Sequence, residues 1–190
     1  PHPWMSEERA RFAGGLEDGA AILDVGCGPG HDTAHLAGLG FHTIGVDASD
    51  EMVRIARGNY PHVEFSRGEI VRGPLPPGPF DGIWAAYVLL HVPLLDQNAT
   101  FQRLASLLRP GGVLFIATAT AEEAEEVNKP IAGLMDDQGR EVAVPSTRMP
   151  VASLMAFARG IGVVEWSRCI NPIPGRGGAL HLLLRRHAGS

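Results

Sequence analysis

From Ala20 to Phe157, short uninterrupted apolar runs alternate with stretches whose apolar residues recur at helical spacing. An uninterrupted apolar run suits a strand covered on both faces, and a helix between successive strands is what a parallel connection requires. The alternation therefore predicts a parallel sheet with helices on both faces. The predicted strands cover residues 20–25, 41–46, 62–65, 80–86 and 113–118. Two more, 163–170 and 180–186, have no helix between them, so one of them runs antiparallel. Predicted helices cover 5–14 with Ser6 as cap, 31–39, a segment opened by Ser49, and 149–161. Leu94, Phe101, Leu104, Ala105 and Leu108 mark a further amphipathic helix, stopped by Pro110-Gly111-Gly112. Residues 68–79, rich in Gly and Pro, read as loop. Residues 121–148, with Glu122, Glu123, Glu125, Glu126, Asp136 and Asp137, are the least regular. They read either as a solvated helix and loop or as a cap over a site. The 190 residues are enough for one core, and 1–190 reads as one domain.

Composition narrows the function classes. A formal charge of −5 removes the electrostatic argument for a general nucleic-acid binder. Cys27 and Cys169 are too few for a disulfide framework, and the eight histidines show no metal-ligand spacing, so no metal is assigned. The longest apolar stretch, 83–95, is broken by His91 and Pro93 and is shorter than the roughly 18 residues of a membrane span. No secretory leader pattern is visible, and the expected location is the cytoplasm.

The run Asp24-Val25-Gly26-Cys27-Gly28-Pro29-Gly30 joins the first predicted strand to the following helix. Ligands of open α/β sheets bind at the carboxyl ends of strands, and glycines let backbone N–H groups approach them. The same glycines would also serve a plain tight turn. Two features favour a ligand. The spacing is GxGxG, not GxGxxG, and the Asp24 carboxylate beside the loop disfavours a pyrophosphate while suiting an ammonium group. Asp47 ends the second strand, 17 residues beyond Gly30, where a carboxylate can accept from both hydroxyls of a ribose. The ligand implied has a ribose, a cationic amino group and no phosphate.

At this point the chain resembles a class I S-adenosylmethionine-dependent methyltransferase. The resemblance rests on Leu23-Asp-Val-Gly-Cys-Gly-Pro-Gly30, Gly45-Val-Asp-Ala-Ser49 with Met52, Phe80-Asp-Gly-Ile-Trp84, Leu89-Leu-His-Val-Pro93 and Leu108-Arg-Pro-Gly-Gly112. These occur in family order over residues 20–118. The resemblance implies a Rossmann-like, doubly wound α/β sheet of seven strands in the order 3-2-1-4-5-7-6, with the last strand antiparallel. It implies S-adenosylmethionine as methyl donor and S-adenosylhomocysteine as product. Asp24 and the backbone of Gly26, Cys27, Gly28 and Gly30 would hold the methionine part, with the Ala85 backbone at its end. Asp47 would hold the ribose, Ala48 and Met52 would flank the adenine, and Glu69-Ile70 would lie by its amino group.

Methyl transfer from a sulfonium needs proximity and alignment, plus a base where the acceptor carries a proton. The run Ala85-Ala86-Tyr87-Val88 departs from the Asn/Asp-Pro-Pro-Tyr of many nitrogen-methylating relatives, and no Pro-Cys pair marks a cytosine nucleophile. Tyr87 and His91 are the substrate-facing candidates: His91 as a base or a packing histidine, Tyr87 facing substrate or core. Trp4 is a candidate for an N-terminal lid. The expected acceptor is a small molecule. Two alternatives stay open: a protein that binds the cofactor without transferring, and a nicotinamide dehydrogenase on the same sheet.

Overall fold

The computed structural model describes residues 5–135, 141–173 and 177–188; Trp4 lies outside them. The chain runs α1 (Ser6–Gly14), β1 (Ala21–Val25), α2 (His31–Gly38), β2 (His42–Asp47), α3 (Asp50–Asn59), β3 (Glu64–Arg67) and β4 (Phe80–Ala86). Two single 3-10 turns follow, Leu89–His91 and Leu94–Asp96. Then come α4 (Gln97–Leu107), β5 (Leu108–Thr120), β6 (Glu125–Met135), β7 (Glu141–Arg148), α5 (Val151–Ile161), β8 (Gly162–Ile173) and β9 (Gly177–Arg186). Seven strands form one sheet in the order β3-β2-β1-β4-β5-β9-β8. Pairing is parallel from β3 to β5, and β9 runs antiparallel to both β5 and β8. Numbered within the sheet alone, this is the expected 3-2-1-4-5-7-6, with the final strand reversed.

The central strands are apolar throughout because both faces are covered. Leu23, Val25, Ile83, Ala85, Leu114 and Ile116 face one side, packed with Phe101 and Leu104 of α4 and Leu154 and Ala158 of α5. The alternate residues Ile22, Trp84, Phe115, Ala117 and Leu183 face the other, with Phe12 of α1 and Leu36 of α2. Trp84 stacks on Phe115 at 4.0 Å between centroids and meets the edge of Phe12 at 5.3 Å. Its indole N–H donates to Asp32, which also pairs with Arg9 at 2.9 Å, so α1 and α2 are tied to this face.

Several local expectations are corrected. Ser6 does not cap α1; Met5 occupies the N-cap position, without a side-chain cap bond. Strand β3 starts two residues late, because the Val63 N–H closes a turn on the Tyr60 carbonyl. Helix α4 ends at Leu107, before Pro110, because Leu108 already pairs with Phe80 of β4. The acidic segment 121–148 contains a two-stranded antiparallel sheet of β6 and β7, not a solvated helix. Pro130 and Pro145 exclude a helix interior, Val127, Val142, Val144 and Thr147 favour strands, and Glu125 faces Arg148 across the pair. Its connection, which includes Arg140, lies outside the described residues, as does the centre of the β8–β9 turn.

Candidate functional site

A cavity of about 610 Å³ opens at the carboxyl ends of β1, β2 and β4. The position follows from topology: β1 and β4 are adjacent, but their connections leave for opposite faces of the sheet. Of the expected residues, Gly26, Gly28, Asp47, Ala48, Met52, Glu69, Ile70, Tyr87 and His91 line this one space.

Asp47 is held at the end of β2 by two backbone donors. The Gly28 N–H donates to Oδ2 and the Ser49 N–H to Oδ1, each at 2.9 Å. Each carboxylate oxygen keeps acceptor capacity for a second donor, and Asp47 lines the cavity. Ser49 also caps α3 by accepting from the Met52 N–H, as expected, which places Ala48 and Met52 on the same rim.

The glycine loop is braced internally to a degree the spacing did not reveal. The Gly26 and Cys27 N–H groups both donate to the Val46 carbonyl, at 2.8 and 3.0 Å, and the Gly30 N–H donates to Cys27. With Gly28 bound to Asp47, none of these four amides is left to a ligand as its sole partner, which corrects the picture of an open amide cradle. The three glycines also differ in purpose. All have positive φ, but a Cβ on Gly26 would sit 2.6 Å from Val88 and one on Gly30 2.7 Å from Phe65, whereas at Gly28 it would meet nothing within 4 Å. Gly26 and Gly30 permit packing; Gly28 keeps the cavity wall low.

Asp24, Cys27, Gly30 and Ala85 do not line the cavity. Strand alternation turns Asp24 toward α2, where the Thr33 hydroxyl donates to it at 2.6 Å. Burial pushes its carboxyl up to about 7, and the charges of Asp32 and Asp47 push in the same direction. Cys27 packs with Val53, Ala56 and Phe65. Burial first, then Asp24 and Asp47, push its thiol far above the ordinary range, so it is no nucleophile. Ala85 is buried within β4 and Gly30 packs behind the loop.

The opposite wall comes from the loop after β3. Arg103 of α4 donates to the carbonyls of Glu69, Ile70 and Gly73, and Glu69 accepts from the Arg72 N–H. Glu69 is exposed and Ile70 buried at this wall. Of the residues lining the whole cavity, the sequence reading missed Val25, Ser49, Gly68, Val71, Val88 and Val92. Val88 and Val92 were signalled by their spacing around His91, and the Arg103 clamp had no local signal.

Tyr87 follows β4 with a φ of 57°, uncommon for a bulky residue. Its N–H donates to the Ala117 carbonyl and its hydroxyl lies 2.8 Å from His181 Nε2. His91 ends the first 3-10 turn, exposed on the rim. Strand β7 packs against that turn, and the Leu94 N–H donates to Glu126 at the base of β6.

A family model described as a methyltransferase domain matches residues 3–150. The trans-aconitate 2-methyltransferase of Azoarcus sp. (strain BH72) is 39% identical over 120 residues, covering 59% of this chain and 46% of that protein. A ubiquinone biosynthesis O-methyltransferase of Xylella fastidiosa is 35% identical over 122 residues, covering 62% and 46%. The chain thus spans a little under half the length of these relatives. Among solved structures, an S-adenosylmethionine-dependent methyltransferase from Methanosarcina mazei superposes with a TM-score of 0.75 at 15% identity, covering 100% of this chain and 99% of that one. The 1,6-didemethyltoxoflavin-N1-methyltransferase of Burkholderia thailandensis, solved with S-adenosylhomocysteine, gives 0.72 at 20% identity, covering 97% and 79%. No described helix is long and apolar enough to cross a membrane.

Proposed function

This chain belongs to the methyltransferase-domain family, and on that premise we propose that it transfers a methyl group from S-adenosylmethionine to a small-molecule acceptor by in-line displacement. The observation that carries the reading is the Asp47 carboxylate, oriented by the Gly28 and Ser49 amides at the mouth of a cavity with room for a nucleoside. The residues present fit the donor. Asp47 accepts from the ribose hydroxyls, Ala48, Met52 and Ile70 enclose the base, and Glu69 lies near its amino group. Asp24 supports a cationic methionine end from behind the loop, its charge acting through the Gly26–Gly30 backbone without direct contact. When bound, S-adenosylmethionine supplies a methyl group already activated by a sulfonium charge. The chain contributes alignment and exclusion of water.

Tyr87 and His91 form the acceptor side, and residues 121–148 serve as its cap. Of the cap cations Lys129, Arg140 and Arg148, Arg148 is engaged by Glu125. The net charge of −5 and this pairing support a neutral or weakly polar acceptor over a polyanion. The names of the relatives, for trans-aconitate and ubiquinone biosynthesis, support a small molecule too. We assign the work to the cytoplasm and to residues 1–190 acting as one domain.

The test has two stages. S-adenosylmethionine and S-adenosylhomocysteine should raise the melting temperature by mass action while NAD does not; stronger stabilisation by NAD refutes the cofactor. A screen of small metabolites read through S-adenosylhomocysteine release then tests transfer. Binding without release from any acceptor refutes the transferase reading in favour of a binding protein.

A further inference from the structure

Behind the β4 wall of the cavity lies a second polar constellation, invisible in the sequence. Tyr87 Oη is 2.8 Å from His181 Nε2, and His181 Nδ1 is 2.9 Å from Glu8 Oε1. The three residues come from the end of β4, from β9 and from α1. Ala117 of β5 brings the first two together: its carbonyl accepts from the Tyr87 N–H, and it pairs with His181 across the antiparallel ladder. Alternation along β9 turns His181 toward the face covered by α1, where Glu8 meets it. His181 and Glu8 are fully buried, while Tyr87 is half-buried and reaches the cavity.

The order of donors in this chain is determined by Glu8. Burial pushes its carboxyl up, but the hydrogen bonds from His181 and from the backbone, with the nearby charge of Arg168, outweigh it and hold the group below its ordinary value. Glu8 is therefore a carboxylate, which can only accept. The His181 Nδ1–H donates to it, and in the neutral imidazole Nε2 is then the acceptor to which the Tyr87 hydroxyl donates. Packing alone has no need of a buried Glu–His pair or of a tyrosine in left-handed backbone, and such strain collects at functional sites.

We propose that Tyr87, backed by His181 and Glu8, takes the proton from a hydroxyl acceptor during methyl transfer. The proposal rests on the transferase reading above and narrows its substrate class to alcohols, phenols or enols. The acceptor oxygen forms its bond to the methyl carbon as the carbon–sulfur bond breaks, and that electron pair stays on sulfur. The acceptor proton passes to Tyr87 Oη while the Tyr87 proton passes to His181 Nε2. One positive charge disappears at sulfur as one appears on the imidazole, and the Glu8 carboxylate balances it. Relaying the proton matters because burial, and then the Glu8 charge, push the Tyr87 phenol up, so a free phenolate is not available as a base. His181 and Glu8 are positioning residues in this scheme; Tyr87 is catalytic.

The test combines a spectroscopic and a kinetic arm. Nitrogen-15 histidine spectra of the wild-type chain should show His181 protonated at Nδ1 and bare at Nε2. Y87F should bind S-adenosylhomocysteine within twofold of wild type and lose about 100-fold in kcat toward a hydroxyl acceptor, the low end for general acid–base catalysis. E8Q, which keeps an acceptor but removes the charge, should lose about tenfold or more in kcat at unchanged cofactor affinity. An Nε2–H tautomer, a Y87F variant as fast as wild type, or a wild-type chain active only on acceptors without a hydroxyl proton overturns the relay and leaves the transferase reading standing. A wild-type chain that binds S-adenosylhomocysteine but methylates nothing overturns both.

Discussion

Replacing Asp24 by Asn should stabilise the ligand-free protein at neutral and alkaline pH. The carboxyl is 2% exposed, accepts from Thr33, and has Asp32 and Asp47 as like-charged neighbours. Its value rises from the ordinary 3.8 to about 7 in the folded state. Between those values the folded chain holds a proton that the unfolded chain has released, so stability falls as pH rises through this window and levels off above it. That rise corresponds to about 4 kcal/mol at full ionisation. Between pH 5 and pH 8 the Asp24 contribution should therefore fall by about 2–3 kcal/mol. Asn keeps an acceptor for Thr33 and abolishes this loss. Urea unfolding of both proteins at pH 5 and pH 8 measures the difference directly. The Asn variant should be more stable at pH 8, with the gap narrowing at pH 5. Equal stability at pH 8, or the same pH dependence in both proteins, would falsify the claim that Asp24 is a strained buried charge. The strain has a use if the ligand is cationic at that end: S-adenosylmethionine binding near pH 6 should release a proton from wild type and not from the variant. Calorimetry in buffers of different ionisation enthalpy reads that proton.

Three further outcomes are expected. Asp47→Ala should weaken S-adenosylmethionine binding by about 1–3 kcal/mol through loss of charged hydrogen bonds; titration calorimetry giving an unchanged Kd removes the ribose assignment. Gly28→Val should stay folded by circular dichroism yet lose cofactor binding, because its side chain enters open cavity, whereas Gly30→Val should melt well below wild type because Phe65 occupies the space; the reverse pattern refutes the division of labour in the loop. His91→Ala should change kcat by less than about threefold if the proton leaves through Tyr87, and a loss near the hundredfold typical of a general base would move that role to the exposed rim.

Much of this protein was legible because the determinants are local. The apolar run 80–86 and the helix signals after Ser49 reappear as β4 and a Ser49-capped α3, since strand burial and capping depend on adjacent residues. The place of Asp47 on the cavity wall was readable for the same reason: it ends a strand beside the glycine loop. The sheet order followed from the resemblance carried by motifs spread over residues 20–118. The tertiary structure decided what depends on register and distant partners. It turned Asp24 away from the cavity through the period-two alternation of β1, and gave Gly26 and Gly30 to packing against Val88 and Phe65. Prolines and β-branched residues, paired across an antiparallel ladder, made strands of a segment whose acidic residues read as a solvated helix and loop or as a cap. Glu8 and His181, 173 positions apart, meet because β9 enters the sheet antiparallel beside β5 while α1 packs over that face. No pattern of neighbouring residues encodes that meeting, because it is created by strand order and by the register of one ladder.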